Sequence, residues 1–107
     1  MSEYVYVWTY RVRPAHVDEF LRRYAPGGDW VRLFRLAPGY LGTTLLRSRI
    51  DPLRFATVDR WESHDAFVAF KTAHREAFAA LDAECESFTE EESSIGEFDV
   101  VPGGGPA

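Results

Sequence analysis

The stretch from Arg54 to Phe88 limits what this chain can fold into more than any other. Phe55, Thr57, Asp59 and Trp61 alternate with Ala56, Val58 and Arg60, the period of a strand. Ser63 then suits a helix N-cap, and Phe67, Phe70, His74, Phe78, Leu81, Cys85 and Phe88 recur every three or four residues. A strand carrying a single carboxylate therefore leads into a helical stripe carrying a single imidazole. Folding that helix back over the strand would gather Asp59, Trp61, Phe70 and His74 around one space.

The rest of the chain supplies partners for this unit. Tyr4 to Val12 is a strand by composition, with Tyr4, Tyr6, Trp8 and Tyr10 on one face and Val5, Val7 and Thr9 on the other. With neither face polar, it is predicted to be buried on both. Pro14 opens a helix carrying Val17, Phe20, Leu21 and Tyr24, which Ala25-Pro26-Gly27-Gly28 stops. Asp29 starts a shorter segment with Trp30, Leu33, Phe34 and Ala37 on one face, ended by Pro38-Gly39. Both glycine breaks read as helix stops, since neither has the spacing of a phosphate loop. Tyr40 to Arg49 is a second strand, and beyond the Asp51-Pro52 turn Arg54 to Glu62 returns as its hairpin partner. The long helix runs to about Phe88, open to a break near Thr72–His74. Glu84, Glu86, Glu90, Glu91 and Glu92 read as a solvated acidic face at its C-terminus, and Ser93 to Val101 is the last strand.

Strand, interrupted helix, strand, strand, helix, strand is the order of the split βαβ plan. This predicts an α+β fold, a four-stranded antiparallel sheet with its helices on one face. The other face would then carry bare valines and leucines. A chain of 107 residues has no further element to cover them. A second copy is the available cover, so a homodimer with its sheets face to face is expected. Residues 1–101 form one domain, and 102–107 a flexible Gly/Pro tail.

Charge and cysteine usage narrow the function. The net charge is -5, and the basic residues are 11 arginines and Lys71, so no nucleic-acid surface is expected. Cys85 is alone and flanked by Glu84 and Glu86, which suits an inert thiol in a reducing cytoplasm. No apolar run reaches membrane-spanning length, residues 1–13 lack a signal-peptide pattern, and three His with one Cys match no zinc site. A cytoplasmic protein with no membrane partner and no metal is expected.

Val12-x-Pro14, Phe20, Gly39-Tyr40, Asp59-x-Trp61-x-Ser63-x-x-Ala66-Phe67 and His74 together resemble the antibiotic biosynthesis monooxygenase (ABM) family. The resemblance extends over residues 4–100. It implies a ferredoxin-like protomer, dimerisation into an α+β barrel, and a pocket between sheet and helices. The family includes cofactor-free oxygenases of aromatic polyketides, haem-degrading enzymes and proteins with no assigned activity. Trp8 and Phe70 stand where haem-degrading members carry Asn and Trp, and their haem-ligating His lies further along than His74. Haem degradation is therefore not the expected activity. Oxygenase-type members often carry a His at the position of Phe70 and another near His74, of which this chain keeps the second.

Oxygenation without a cofactor needs a substrate anion able to give an electron to dioxygen. The protein must supply a base, an oxyanion donor and a dry aromatic pocket. His74 is the candidate base, and Asp59 its partner or an alternative base. Tyr6, Tyr10 and Tyr40 are candidate donors, and Trp8, Trp30, Phe34, Trp61, Phe67 and Phe70 candidate walls for a small aromatic molecule. The residues also allow a second reading, in which His74 and Trp61 are core, Asp59 pairs with Arg47 or Arg49, and Trp8 plugs the space. That protein would be a non-catalytic small-ligand-binding or stress-related dimer. An open cavity faced by His74 and Asp59 favours the enzyme, and a cavity filled by Trp8, Trp30 and Phe70 favours the binding protein.

Overall fold

The strand that opens the chain lies inside the sheet. In the computed structural model, which describes residues 2–103, β1 (Tyr4–Val12) pairs antiparallel with β3 (Arg54–Trp61) on one side and β4 (Thr89–Asp99) on the other. With β2 (Tyr40–Arg47) on the far edge, the order is β2-β3-β1-β4, four strands in one antiparallel sheet. Helices α1 (Val17–Tyr24), α2 (Asp29–Phe34), α3 (His64–Ala73) and α4 (Arg75–Cys85) cover one face. This is the ferredoxin-like split βαβ arrangement that the element order predicts.

Local chemistry fixes where these elements begin and end. The Ser63 hydroxyl accepts the Ala66 N–H at 3.1 Å, so it caps α3 as expected, an interaction of about 1 kcal/mol. His74, at φ -120° and ψ 30°, interrupts the helical run between α3 and α4. Gly39 lets the first turn of α3 settle directly on the entry to β2, because a Cβ there would lie 2.5 Å from that of Ala66.

The core is aromatic. Phe20, Phe55, Trp61 and Phe70 are almost fully buried. Phe20 stacks on Tyr24 at 4.1 Å between ring centres and meets Phe55 at 4.9 Å, tying α1 to the sheet. Each such side chain removes enough apolar area from water to contribute about 1.5–3 kcal/mol.

Two expectations need correction. The last strand starts at Thr89, four residues before Ser93, so Glu90, Glu91 and Glu92 belong to an edge strand and not to a helix end. Burial of Phe88 after a short 3-10 turn pulls the chain into the sheet early. Arginines on neighbouring segments then take two of the acids: Arg11 pairs with Glu90 at 2.8 Å and Arg54 with Glu91 at 3.5 Å. The first strand buries Tyr4, Tyr6 and Tyr10 but leaves Trp8 on the same face exposed, while Val5, Val7 and Thr9 on the other remain half-buried. Of the expected tail at 102–107, residues 104–107 lie outside those described.

Candidate active site

Between the tyrosine face of the sheet and the helices lies an open cavity of about 390 Å³. Strand alternation and register lay its floor in cross-strand rows. One row reads Thr43, Asp59, Tyr6, Glu97, and the next Leu45, Thr57, Trp8, Ser94. A third brings Tyr10 beside Glu92. The roof is Tyr24 from α1, Trp30 and Phe34 from α2, Phe67 and Lys71 from α3, and Phe78 and Asp82 from α4. Trp8 and Trp30 line this space without filling it.

Asp59 is the buried acid of the floor, only 5% exposed. The Thr43 hydroxyl donates to its Oδ1. With that proton spent, the 2.6 Å contact between Tyr40 and Thr43 has the Tyr40 hydroxyl donating, so two hydroxyls in series brace the carboxylate. Burial pushes the Asp59 pKa up to about 6, with the Thr43 hydrogen bond pulling the other way. The alternative pairing with Arg47 or Arg49 does not form. The Arg47 Nε donates to the Pro52 carbonyl at 2.9 Å with its guanidinium over Phe55, and Arg49 is exposed beyond the end of β2.

The phenols around this acid are donors. Burial raises Tyr6 well above the ordinary phenol range, and the Asp59 charge adds to the effect. Tyr10, raised by burial, shares a 2.8 Å hydrogen bond with Thr57, and Tyr4 donates to Glu97. All three stay protonated at neutral pH. The floor therefore sets the buried Asp59 carboxylate among several hydroxyl groups, with Glu92 and Glu97 on β4 beside them.

A sequence description of the antibiotic biosynthesis monooxygenase family matches residues 4–81, most of the chain. The protein is an ABM family member. No curated protein matches it at a significant level. Solved structures of similar fold include a protein of Caulobacter crescentus designated a candidate antibiotic biosynthesis monooxygenase, 22% identical, with a TM-score of 0.77 over 94% of this chain and 91% of that one. A variant of SnoaB, a cofactor-independent oxygenase from Streptomyces nogalater, is 23% identical with a TM-score of 0.70 over 92% of each chain. A Nitrosomonas europaea protein of the same designation as the first is 15% identical, with a TM-score of 0.73 over 97% of this chain and 95% of that one.

In this ABM protein the sequence-predicted site residues divide. Asp59, Tyr6, Trp8, Tyr10, Trp30, Phe34 and Phe67 all line the cavity. Trp61, Phe70, Tyr40 and His74 are not among its lining residues. Trp61 and Phe70 are core, their rings 5.2 Å apart. Tyr40 acts one step back, through Thr43. His74 packs 5.3 Å from Phe70 at the helix break, so Asp59 and His74 do not share a space as expected.

Sequence reasoning overlooked Thr43, Thr57 and Lys71. Thr57 precedes Asp59 by two residues and Lys71 follows Phe67 by four, spacings that share a face and carried a readable signal. Thr43 needed the β2–β3 register, and Glu92, Ser94 and Glu97 needed the irregularity in β4. The pairing shifts there between Val7 and Trp8, where Gly96 adopts a positive φ of 150°.

Proposed function

We propose that this ABM protein is a cofactor-independent monooxygenase of a small aromatic, polyketide-type phenol or enol, with Asp59 as the base. One observation carries the reading: a buried carboxylate held through Oδ1 by Thr43 lines a cavity walled by aromatic rings. Asp59 takes the substrate proton, and the electron pair stays on the substrate. The anion passes one electron to dioxygen, and the resulting radical and superoxide combine at a ring carbon. Asp59 returns its proton to give the hydroperoxide. Loss of water, carrying the hydrogen of that carbon, leaves a carbonyl. One oxygen atom enters the product and the other leaves as water.

The aromatic walls orient a flat ring and keep water from the anion. The SnoaB fold match supports a scaffold compatible with such chemistry. The functional unit we propose is a dimer. Val5, Val7, Ala56 and Val58 on the sheet face away from the helices are only half-buried, and Leu46 and Phe98 are each 49% exposed. A second sheet packed at about 10 Å would cover them. Buried, unpaired Cys85 fits a reducing cytoplasm.

Dioxygen uptake on a panel of phenols and quinols tests the reading. Uptake by wild type and its loss in Asp59→Asn is the expected result. Uptake lost in His74→Ala yet kept in Asp59→Asn would transfer the base to the imidazole. No uptake on any substrate would leave the non-catalytic ligand-binding reading.

A further inference from the structure

Lys71, which like seven of the arginines makes no ion pair among the described residues, differs from them in lining the cavity. It is the only lysine in the sequence. Arg11, Arg23, Arg32 and Arg54 form surface ion pairs, whereas among the described residues Lys71 has no carboxylate partner. Its ammonium lies 4.7 Å from the centre of the Phe78 ring and 5.7 Å from that of Phe67. Both rings belong to the cavity roof, and among the described residues Lys71, itself solvent-exposed, is the only cation lining the cavity, against Asp59, Asp82, Glu92 and Glu97.

That imbalance matters to any anion formed inside. The protein's own phenols record the local field. Tyr4, Tyr6 and Tyr10 are kept protonated by burial and by the carboxylates beside them, and Tyr24 likewise by burial with a smaller contribution from Glu92. A bound phenol meets the same burial and the same carboxylates, so without a nearby cation it would hold its proton as well. The Phe67 ring that carries Lys71 sits 4.8 Å from the Tyr6 ring, and Tyr6 is the cross-strand partner of Asp59. Proton acceptor and cation thus occupy floor and roof of one cavity.

We propose that Lys71 is a further catalytic residue, whose ammonium stabilises the oxyanion left on the substrate when Asp59 removes its proton. The inference rests on the reading of the cavity as a phenol site. In the step, the substrate O–H bond breaks, the proton goes to the Asp59 carboxylate, and the electron pair stays on the substrate oxygen facing the ammonium. The flexible stem of lysine lets the charge follow that oxygen, and the ring lies against Phe67 and Tyr6.

The test uses 4-nitrophenol, whose anion absorbs in the visible, with the full-length protein in excess. Its ionisation is followed against pH in wild type, Lys71→Met and Lys71→Arg, with circular dichroism confirming that each variant is folded. Lys71→Met is expected to reduce the bound phenolate at neutral pH roughly tenfold, and Lys71→Arg to retain most of it. Turnover on any substrate the uptake panel identifies should fall in the same order. Nitrophenol that binds all three proteins and ionises alike in each would overturn the role of Lys71 while leaving the phenol site intact. Nitrophenol that fails to bind wild type would remove the phenol site, and this inference with it.

Discussion

The two faces of the sheet are made by the same strands, residue by alternate residue, yet they meet different surroundings. On the helix side Tyr4, Tyr6, Tyr10, Phe55, Thr57, Asp59 and Trp61 are all buried. On the other side Val5, Val7, Ala56 and Val58 are half-buried, with Leu46 and Phe98 half-exposed. The helix side spends its burial on rings and one acid and keeps a cavity among them. The open side is apolar at its centre with Arg11, Arg54 and Arg60 around it, and the helices leave it uncovered. Chemistry needs polar groups held in place, whereas association needs only matched apolar area, and period-two alternation lets one strand serve both.

Substitutions on each face separate the two roles, and the largest effect is expected on the helix side. Asp59→Asn should lower turnover by about 100-fold or more, the usual contribution of a general base, while leaving the proposed dimer intact by light scattering. Phe70→Ala, in the core behind the cavity, should cost about 3–5 kcal/mol in urea unfolding. Asp59→Asn should also raise stability at neutral pH by at most about 3 kcal/mol. The pKa of this carboxyl is raised from 3.8 to about 6, so the folded state binds its proton more tightly than the unfolded chain does. Stability therefore falls as pH climbs from about 4 through about 6, and the neutral amide removes that loss. Activity should instead rise with pH through about 6 as the base ionises, so the two profiles run in opposite directions.

Val7→Glu, on the open side, should give monomers at micromolar concentration in sedimentation, with the bound nitrophenol spectrum unchanged. A dimer that survives it would break the division between the faces. Arg54→Ala, which removes an exposed pair with Glu91, should change stability by no more than about 0.5 kcal/mol, confirming that the edge charges are peripheral to both roles.

Much of the fold was legible because it depends on local patterning. Alternation in β1 and β3, the Ser63 cap and the Pro-Gly breaks all act within a few residues of themselves. The helix break was open to view near Thr72–His74, but the place of His74 against Phe70 and outside the cavity was not, because it depends on how the helices pack on the sheet. β4 was misplaced by four residues at its start for a related reason. Its acidic run reads as a helix surface until Arg11 and Arg54, distant in sequence, arrive beside it.

The sequence by itself determined the element order, the aromatic face of the first strand and the presence of one acid in the middle of the third, since these follow from spacing along the chain. Only the tertiary structure decided which groups share the cavity. The Thr43 hydroxyl reaches Asp59 through cross-strand register, Lys71 lines the cavity from α3, and His74 packs on Phe70 instead of joining them. Spacing sets which side of its own element a residue occupies, but a site is a meeting of elements, fixed by how they pack.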